Sequence, residues 1–452
     1  MITDAAAPAR SDLRAWPVAL LLGSASFLVL FDSLAVATAL PAIGTALSAG
    51  PAALQWVVSL YSVSIGAFLI LGGRVGDLYG HRRVLLGSLA VSTVAGLVAG
   101  VAPGLAVLLV GRVLQGVAAA FALPAALAIA ATVFPEEPWR GRVFSVVASA
   151  AWAAGLAGAM LGGLITVHFG WRWIFLVTVP IGAAAVAAGA ALLPRDARRD
   201  GDRERLDVTG ALLASTGLVT LLIGLVQLGE GAHTGRAIVT VAGAAALFAA
   251  LVFVERRAEH PLVRPSLLRS RRMVGASLGF GAYCAGYTAL VVVGSLRLQE
   301  ERGLSPASTG VLLSPVLVAG IVSAALTARV LRKYASRTVV ATAVLLCAFA
   351  LTMIATAGGD VIALLPWLVL WGICSGPVYV RLNQECVTNA AAGDRGTASA
   401  LLESMSHIGG GIAAAAYLTM LGGGVGFQPV MLAGAIVVAG GAAVIVALMP
   451  RA

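Results

Sequence analysis

The chain has 452 residues, of which 60% are hydrophobic and only 11% are charged. Soluble domains carry about 25% charged residues, so this composition excludes an ordinary soluble globular protein and indicates a polytopic membrane protein. The net charge of +10 is typical of nucleic-acid binding in a soluble chain. Here the basic residues stand in short loops between apolar runs, which argues against a nucleic-acid partner.

Apolar runs interrupted by glycine, proline or charge predict an all-α protein with fourteen membrane-spanning helices. The first run is longer than the core of a signal peptide, so we expect it to stay in the protein as an anchor. In chain order the predicted spans are 17–42, 51–72, 84–102, 104–133, 142–167, 173–193, 207–228, 236–254, 273–296, 306–328, 338–357, 361–382, 397–421 and 428–449.

The two sides of the predicted membrane differ in charge. Most basic residues lie at the termini and in the loops after even-numbered spans, for example Arg74 and Arg140, whereas the opposite loops hold little more than Arg172, Arg236 and Arg302. The positive-inside rule then predicts that both termini are cytoplasmic. Arginine is used almost throughout in place of lysine, which is typical of a GC-rich bacterial genome, so we expect a bacterial cell membrane.

The chain also repeats itself. Residues 50–82 align without a gap on residues 305–337, and the alignment matches Pro51 with Pro306 and Arg74 with Arg329. Spans 2–3 then correspond to spans 10–11, with spans 7 and 8 inserted between two six-helix copies. The predicted units are therefore an N-terminal bundle (1–193), a connecting region with the inserted helices (194–272) and a C-terminal bundle (273–452). Parallel repeats of this kind are typical of transporters whose substrate binds near mid-membrane.

Several motifs occur in a specific order. They are FDSLAVATALPAI from Phe31, GRVGDLYGHRR from Gly73, GRVLQGVAAA from Gly111, GLAGAMLGG from Gly155 and WRWIFLVTVPIG from Trp171. Together these segments resemble the motifs of the major facilitator superfamily and, within it, of the fourteen-helix drug:proton antiporters. The resemblance implies two six-helix bundles plus two inserted helices, and energy from the proton gradient with no bound cofactor.

The chain departs from the family pattern at a few positions. Leu34 and Ala37 stand where the first-helix motif usually has Thr and Asn, and Thr178 stands where the sixth helix usually has Asn. Ala159 replaces the proline of the antiporter motif in span 5. The last departure favours the alternative of an uptake symporter on the same fold.

Two charged residues are predicted to meet inside the N-terminal bundle. Asp32 is about 22 Å from the cytoplasmic end of span 1, and Arg112 is about 12 Å from the external end of span 4. A carboxylate beside an arginine in the membrane can exchange a proton when its surroundings change, so we expect Asp32 to carry the coupled proton and Arg112 to tune it. The alternative is a permanent structural ion pair.

Span 13 carries a second ionisable pair. Glu403 and His407 are four residues apart, so they share one face of the helix. They are candidates for a second proton or substrate site, and the alternative is that Glu403 reaches the inner interface.

The loop between spans 2 and 3 carries the motif residues Gly73, Asp77, Gly80, Arg82 and Arg83. The resemblance implies a conformational latch, in which the aspartate meets the N-terminus of a helix of the other half. In this chain that helix is span 13, which starts near Gly396 and Thr397. The positive-inside rule alone explains the arginines but neither the aspartate nor the glycines.

Small and aromatic residues supply the remaining candidates. Helical spacing places the glycines of span 5 on one face, which is typical of helices that approach closely and slide, and equally of ordinary tight packing: Gly155, Gly158, Gly162 and Gly163. The aromatic residues available to line a substrate cavity are Trp56, Tyr61, Trp152, Tyr283 and Tyr287.

These observations predict a proton-driven exporter of an amphiphilic drug, antibiotic or metabolite. The sequence contains no nucleotide-binding GxxxxGK[ST] motif, and the four cysteines show no metal-ligand spacing. We therefore expect a transporter rather than an enzyme, with protons, membrane lipids and a small molecule as partners. A membrane-embedded lipid-modifying enzyme is the alternative of another class, and only Glu385 or the pair Glu403 and His407 would serve it.

Overall fold

The computed structural model describes residues 8–196, 207–230, 234–258, 261, 263–330, 334–357 and 361–449. These residues form fifteen helices and no strand. The helices are α1 (Pro8–Leu47), α2 (Pro51–Tyr79), α3 (His81–Gly100), α4 (Leu105–Val133), α5 (Trp139–Phe169), α6 (Arg172–Leu192), α7 (Val208–Glu230), α8 (Thr234–Glu255), α9 (Pro265–Arg269), α10 (Arg271–Glu300), α11 (Pro306–Val330), α12 (Ser336–Thr356), α13 (Ile362–Thr388), α14 (Arg395–Gly422) and α15 (Phe427–Leu448).

Three of these helices contain a local irregularity. α6 is interrupted at Val177, α10 widens into a π-helical turn at Ala289–Val293, and α13 begins with a 3₁₀ turn at Ile362–Leu364. Predicted spans 1–8 correspond to α1–α8, and spans 9–14 correspond to α10–α15. The short helix α9 lies in the loop after span 8, which the sequence did not predict to be helical.

Within the described residues, twelve helices are long and apolar enough to cross a membrane, namely all except α7, α9 and α14. In α7 the apolar stretch among the described residues is Thr209–Leu225. α14 is long but carries Glu403, His407 and several serines and glycines, which lower its hydropathy. The chain therefore has the make-up of a multi-pass membrane protein.

The same packing pattern occurs twice. In the first set of six helices, α1 packs on α5, α2 packs on α4, and α3 packs on α4 and α6. In the second set, α10 packs on α14, α11 packs on α13, and α12 packs on α13 and α15. This recurrence is what the sequence repeat leads one to expect, since equivalent helices bury equivalent faces.

The main contacts between the sets join α2 with α14 and α5 with α11, and smaller contacts join α4 with α14 and α13, and α5 with α13. The inserted helices pack on each other, and α7 also lies against both α2 and α14. We call the end of the bundle at which α2 meets α3 the basic end, because Arg74, Arg82 and Arg83 lie there. Gly80 forms this turn with φ of 101°, a backbone conformation that residues with a side chain rarely adopt.

Candidate functional site

The buried charges of the first set form one connected cluster. Asp32 of α1 and Arg112 of α4 are 4% and 0% exposed, and Nη1 of Arg112 donates to Oδ2 of Asp32. Gln115 closes the cluster, because its Nε2 donates to Oδ1 of Asp32 at 3.0 Å and its Oε1 accepts from Arg112 at 3.0 Å. Both carboxylate oxygens of Asp32 are therefore hydrogen-bonded.

Further contacts hold the Arg112 guanidinium in place. Its Nε donates to the carbonyl oxygen of Val57 at 2.9 Å, and its Cζ lies 4.1 Å from the centre of the Tyr61 ring. The Tyr61 hydroxyl donates to the carbonyl oxygen of Val29 at 2.7 Å. Tyr61, a candidate cavity residue by sequence, is thus buried beneath the ion pair instead of lining an open space in this conformation. Gln115 was missed as a site residue, although it lies one helical turn from Arg112 in the same motif.

The carboxyl group of Glu403 in α14 has a different environment. The side chain is 7% exposed, and the side chains of Tyr379 and Asn383 of α13 lie within hydrogen-bonding reach of it. Its Oε1 has no hydrogen-bond partner among the described residues. One turn along α14, His407 faces Gly66 of α2, where an added Cβ would lie 3.5 Å from the His407 Cβ. No ion pair joins Glu403 and His407, both of which lie in the described part of the chain.

Asp77 reaches the N-terminus of α14 across the gap between the two sets. Its Oδ1 accepts from the backbone N–H of Gly396 at 2.9 Å, and its Oδ2 accepts from the N–H and the hydroxyl of Thr397 at 2.8 and 2.7 Å. Nε2 of His81 lies 3.3 Å from Oδ1. The contact that the resemblance implied, between the loop aspartate and the start of span 13, is therefore present in this conformation.

The backbones of α2 and α14 touch beside Asp77. A Cβ added to Gly396 would lie 2.5 Å from the carbonyl oxygen of Gly73, and one added to Gly73 would lie 2.7 Å from the carbonyl carbon of Gly396. Such distances are shorter than real Cβ atoms show, and backbone atoms cannot move aside cheaply. Only glycine fits at both positions while the basic end is closed.

The remaining residues of the loop motif bind within the first set. Asp196, which follows α6, accepts from the backbone N–H groups of Arg82 at 3.0 Å and Arg83 at 3.1 Å. A Cβ on Gly80 would lie 2.9 Å from the Cβ of Asp196. The sequence grouped all five motif residues as one latch, whereas the structure divides them, with Gly73 and Asp77 touching the second set and the other three touching Asp196. Arg332, which aligns with Asp77 in the repeat, lies outside the described residues.

Other polar contacts between the sets lie at the same end, and the sequence did not predict them. Glu137, just before α5, accepts from Nε2 of Gln384 in α13 at 2.7 Å. Arg395 at the start of α14 donates to the hydroxyl of Thr132 in α4 at 2.9 Å. Glu137 stands in a short charged loop, a pattern that indicates a position at the membrane interface but no particular partner.

Asp394, the residue before α14, joins three parts of the chain. Its carboxylate lies 3.8 Å from Nη1 of Arg74 in α2 and 3.2 Å from Nη1 of Arg264 in the segment after the inserted helices. Burial raises the pKa of Asp394 above its usual value, while Arg264 opposes this, Asp77 adds to it and Arg74 again opposes it. The contacts that close the basic end, which we call the seal, therefore include the connection to the inserted helices.

Among the remaining aromatic candidates, one pair spans the two sets at mid-depth. The rings of Trp152 in α5 and Tyr287 in α10 are 6.0 Å apart and perpendicular. These residues are about 20 Å and 24 Å from the basic ends of their helices. Tyr283 is buried within the second set, where its hydroxyl donates to Ser375 at 2.7 Å, and Trp56 is 44% exposed near the start of α2. Trp152 and Tyr287 are thus the aromatic candidates placed between the sets.

The glycines of α5 differ in their surroundings. A Cβ on Gly158 would lie 2.8 Å from the carbonyl oxygen of Phe31, and one on Gly162 would lie 2.8 Å from the Cα of Ala35. Gly155 has ordinary contact distances and Gly163 has open space. These glycines therefore bring α5 close to α1, the helix that carries Asp32, within one set.

Comparisons with known proteins agree with this architecture. The family model described as Major Facilitator Superfamily matches residues 22–414 and 277–452. The chain is 33% identical over 417 residues to the cephamycin export protein CmcT of Amycolatopsis lactamdurans, which covers 91% of this chain and 86% of that protein. It is 31% identical over 418 residues to the puromycin resistance protein pur8 of Streptomyces alboniger, with 91% and 83% covered.

Solved structures show the same fold at low sequence identity. The human organic anion transporter MFSD10 matches with a TM-score of 0.70 at 16% identity, over 97% of this chain and 100% of that one. The proton:xylose symporter XylE matches with a TM-score of 0.68 at 13% identity, over 97% of both chains. At these identities the likeness carries the fold alone and leaves the direction of transport open.

Proposed function

The chain belongs to the major facilitator superfamily, and from this premise we propose that it exports an amphiphilic antibiotic, drug or metabolite by alternating access. The observation that carries the proposal is similarity over 91% of the chain to an export protein and to a resistance protein. Their printed substrates, a cephamycin and puromycin, identify the class of compound to test. An amphiphilic molecule that is neutral or carries a single charge suits apolar helices with few acidic residues better than a dication does.

We propose that the architecture consists of two six-helix bundles, residues 1–193 and 273–452, with an inserted helix pair in between. α7 and α14 would cross the membrane too, which gives fourteen spans. α14 supports this, because its 28 residues extend about 42 Å and its polar residues face neighbouring helices. The protein would then lie in the bacterial cytoplasmic membrane with the basic end and both termini in the cytoplasm.

The contacts at the basic end support a conformation that is closed to the cytoplasm. Asp77, Gly73 and Glu137 of the N-terminal bundle all touch the C-terminal bundle there. An anion at a helix N-terminus is stabilised by the helix dipole and by the free N–H groups. We propose that Asp77 is a latch that holds this closed state and releases when the cavity opens to the cytoplasm.

Energy would come from the proton gradient and not from a bound cofactor. One elementary charge that moves through 100 mV releases about 2.3 kcal/mol, enough for roughly a fiftyfold substrate gradient. The sequence predicts two sites for the coupled proton, Asp32 with Arg112 and Glu403 with His407. Each of them places a carboxyl group inside one bundle.

Proton release from energised everted vesicles tests the proposal. Vesicles that contain the protein are acidified inside and challenged with puromycin, a cephamycin, a neutral drug and a dicationic drug. We expect puromycin or the cephamycin to dissipate the pH gradient, and vesicles without the protein to show no such response. If no compound moves protons, the export proposal fails, and uptake, which Ala159 in place of the antiporter proline favours, takes its place.

Replacing Asp77 by asparagine is expected to shift the protein towards the state that is open at the basic end. The lost anion–dipole interaction is worth about 0.3 to 2 kcal/mol, which changes the ratio of closed to open molecules by about twofold to thirtyfold. Spin labels at Tyr79→Cys and Ala392→Cys, both exposed at the basic end, report the opening as a longer distance. The native cysteines are buried or half-buried, so they label slowly.

Asp196→Asn is the matched control for this latch. Asp196 also accepts from two N–H groups at a helix N-terminus, but its partners Arg82 and Arg83 belong to the same bundle. We expect this variant to lose some stability while the distance between the labels stays at the wild-type value. An equal lengthening in both variants would contradict the latch and point to a general loosening of the basic end.

A further inference from the structure

The two intramembrane carboxyl groups differ in how completely they are partnered. Both oxygens of Asp32 accept hydrogen bonds, and the charge of Arg112 stands directly against them. Protonation of Asp32 would leave the guanidinium of Arg112, which is 0% exposed, buried without a counter-ion. Because arginine does not deprotonate in proteins, the buried charge of Arg112 needs the carboxylate of Asp32 as its counter-ion.

Glu403 has the opposite surroundings. The groups that face it are neutral: Tyr379, Asn383 and Cys386 from α13, and Cys284 from α10. On its own helix the nearest titratable side chain is His407, which does not pair with it, and no arginine or lysine pairs with it in the part of the chain that the structure describes. A buried carboxylate without a counter-ion is costly, whereas the neutral acid is not. The orphaned Oε1 is the atom that a proton would occupy.

Glu403 lies close to the boundary between α2 and α14, which we call the seam. It lies seven residues, or about 10 Å, along α14 from Gly396, where Asp77 and Gly73 close the basic end. One turn further on, His407 faces Gly66 of α2 across the same seam. The Trp152–Tyr287 pair spans the bundles about one turn beyond Cys284 on α10. Opening the basic end therefore separates α14 from α2 on the side of Glu403 that faces the cytoplasm.

We propose that Glu403 is the carboxyl group that carries the exchangeable proton, and that Asp32 with Arg112 is a permanently charged structural pair. The inference rests on the proposed proton-coupled transport. While the basic end is closed, the Glu403 carboxylate takes a proton from hydronium in the water on the opposite side of the membrane, and it returns that proton to water as hydronium when the basic end opens to the cytoplasm. If the basic end closed without substrate while Glu403 was ionised, an uncompensated charge would be buried. Either a proton or a hydrogen-bond donor of the substrate therefore has to bind the carboxylate.

Infrared difference spectroscopy of the reconstituted protein tests this without any transported substrate. Spectra in acidic and in alkaline buffer are compared through the protonated-carboxyl stretch. We expect Glu403→Gln to remove the buried-carboxyl band of the wild type. The double variant Asp32→Asn/Arg112→Gln, which keeps its cluster neutral, is expected to retain the band, as is the control Glu300→Gln, which alters an exposed residue at the far end of α10.

A transport assay with puromycin as the probe separates coupling from binding. One pH unit drives about a tenfold accumulation for each exchanged proton. Glu403→Gln is expected to lose this accumulation while still exchanging labelled for unlabelled puromycin, because its site is permanently neutral. The double variant is expected to accumulate puromycin under the gradient.

The outcomes separate the two proposals. If the band persists in Glu403→Gln, or disappears in the double variant, Glu403 is not the proton carrier, even if puromycin is exported. If wild type moves no puromycin while the band follows Glu403, the assignment of the carboxyl group stands and the proposed substrate class fails. Should Glu403→Gln not fold, loss of the band or of accumulation in the double variant alone would still overturn the proposal.

Discussion

Replacing Arg112 alone by glutamine is expected to destabilise the protein by about 3 to 5 kcal/mol, because the change leaves the carboxylate of Asp32 buried without its counter-ion. Few substitutions of surface residues destabilise a protein by as much. The loss is measured as the fall in the temperature at which half of the detergent-solubilised protein stays monodisperse. Adding Asp32→Asn to Arg112→Gln removes the unpaired charge, so we expect the double variant to recover most of that fall.

Glu301→Gln is the control for this prediction. Glu301 pairs with Arg297 at 2.9 Å, but its side chain is 42% exposed, and exposed pairs contribute about 0 to 1 kcal/mol. Its melting temperature is expected to stay close to that of the wild type. If Arg112→Gln proved as stable as Glu301→Gln, Asp32 would have to be neutral in the folded protein, and the description of the cluster as a permanent ion pair would fail.

Replacing Gly73 by alanine is expected to prevent the basic end from closing. The new Cβ would meet the backbone of Gly396 and lie 2.8 Å from the Cβ of Ala400. Overpacking costs about 1 to 3 kcal/mol, which shifts the ratio of closed to open molecules by about 5- to 150-fold. The labels at Tyr79→Cys and Ala392→Cys should report a longer mean distance, and puromycin export should fall because the cycle needs both states.

Gly87→Ala serves as the matched variant, since a Cβ there meets nothing within 4 Å. We expect it to keep both the wild-type label distance and the wild-type export rate. A closed basic end in Gly73→Ala would show that α2 and α14 have room to move apart while the latch stays engaged. Together, Asp77→Asn and Gly73→Ala separate the electrostatic from the steric contribution to the closure of the basic end.

The seal has a further component that involves the inserted helices. α7 lies against both α2 and α14, and Arg264, which follows the insert, pairs with Asp394 at the start of α14. The insert therefore contacts both helix sets where α2 meets α14.

Much of the fold follows from the order of residues. Apolar run length predicts a helix that crosses the membrane, because the backbone has no other way to satisfy its hydrogen bonds in lipid. The constant rise of 1.5 Å per residue placed Asp32 and Arg112 at matching depths, and the structure pairs them. Among the described residues, helices of twelve of the fourteen predicted spans are long and apolar enough to cross a membrane. α14 falls short because polar residues that face neighbouring helices lower its hydropathy.

The partners of most site residues depend on the tertiary structure. A helical repeat specifies which residues share a face but not which neighbouring helix that face meets, since this depends on how several helices pack at once. The sequence therefore grouped Asp77 with Arg82 and Arg83, and only the packing shows that Asp77 binds α14 whereas the arginines hold Asp196.

The same reason explains why the sequence did not predict the surroundings of Glu403 and Tyr61. Sequence shows that each lies inside the membrane, which is a matter of distance along one helix. Whether a carboxyl group has a cation beside it, and whether a ring lines a cavity or covers an arginine, depends on the rotation of two helices relative to each other. That rotation is set by long-range packing, such as the close approach of α5 to α1 at Gly158 and Gly162, and no local pattern encodes it.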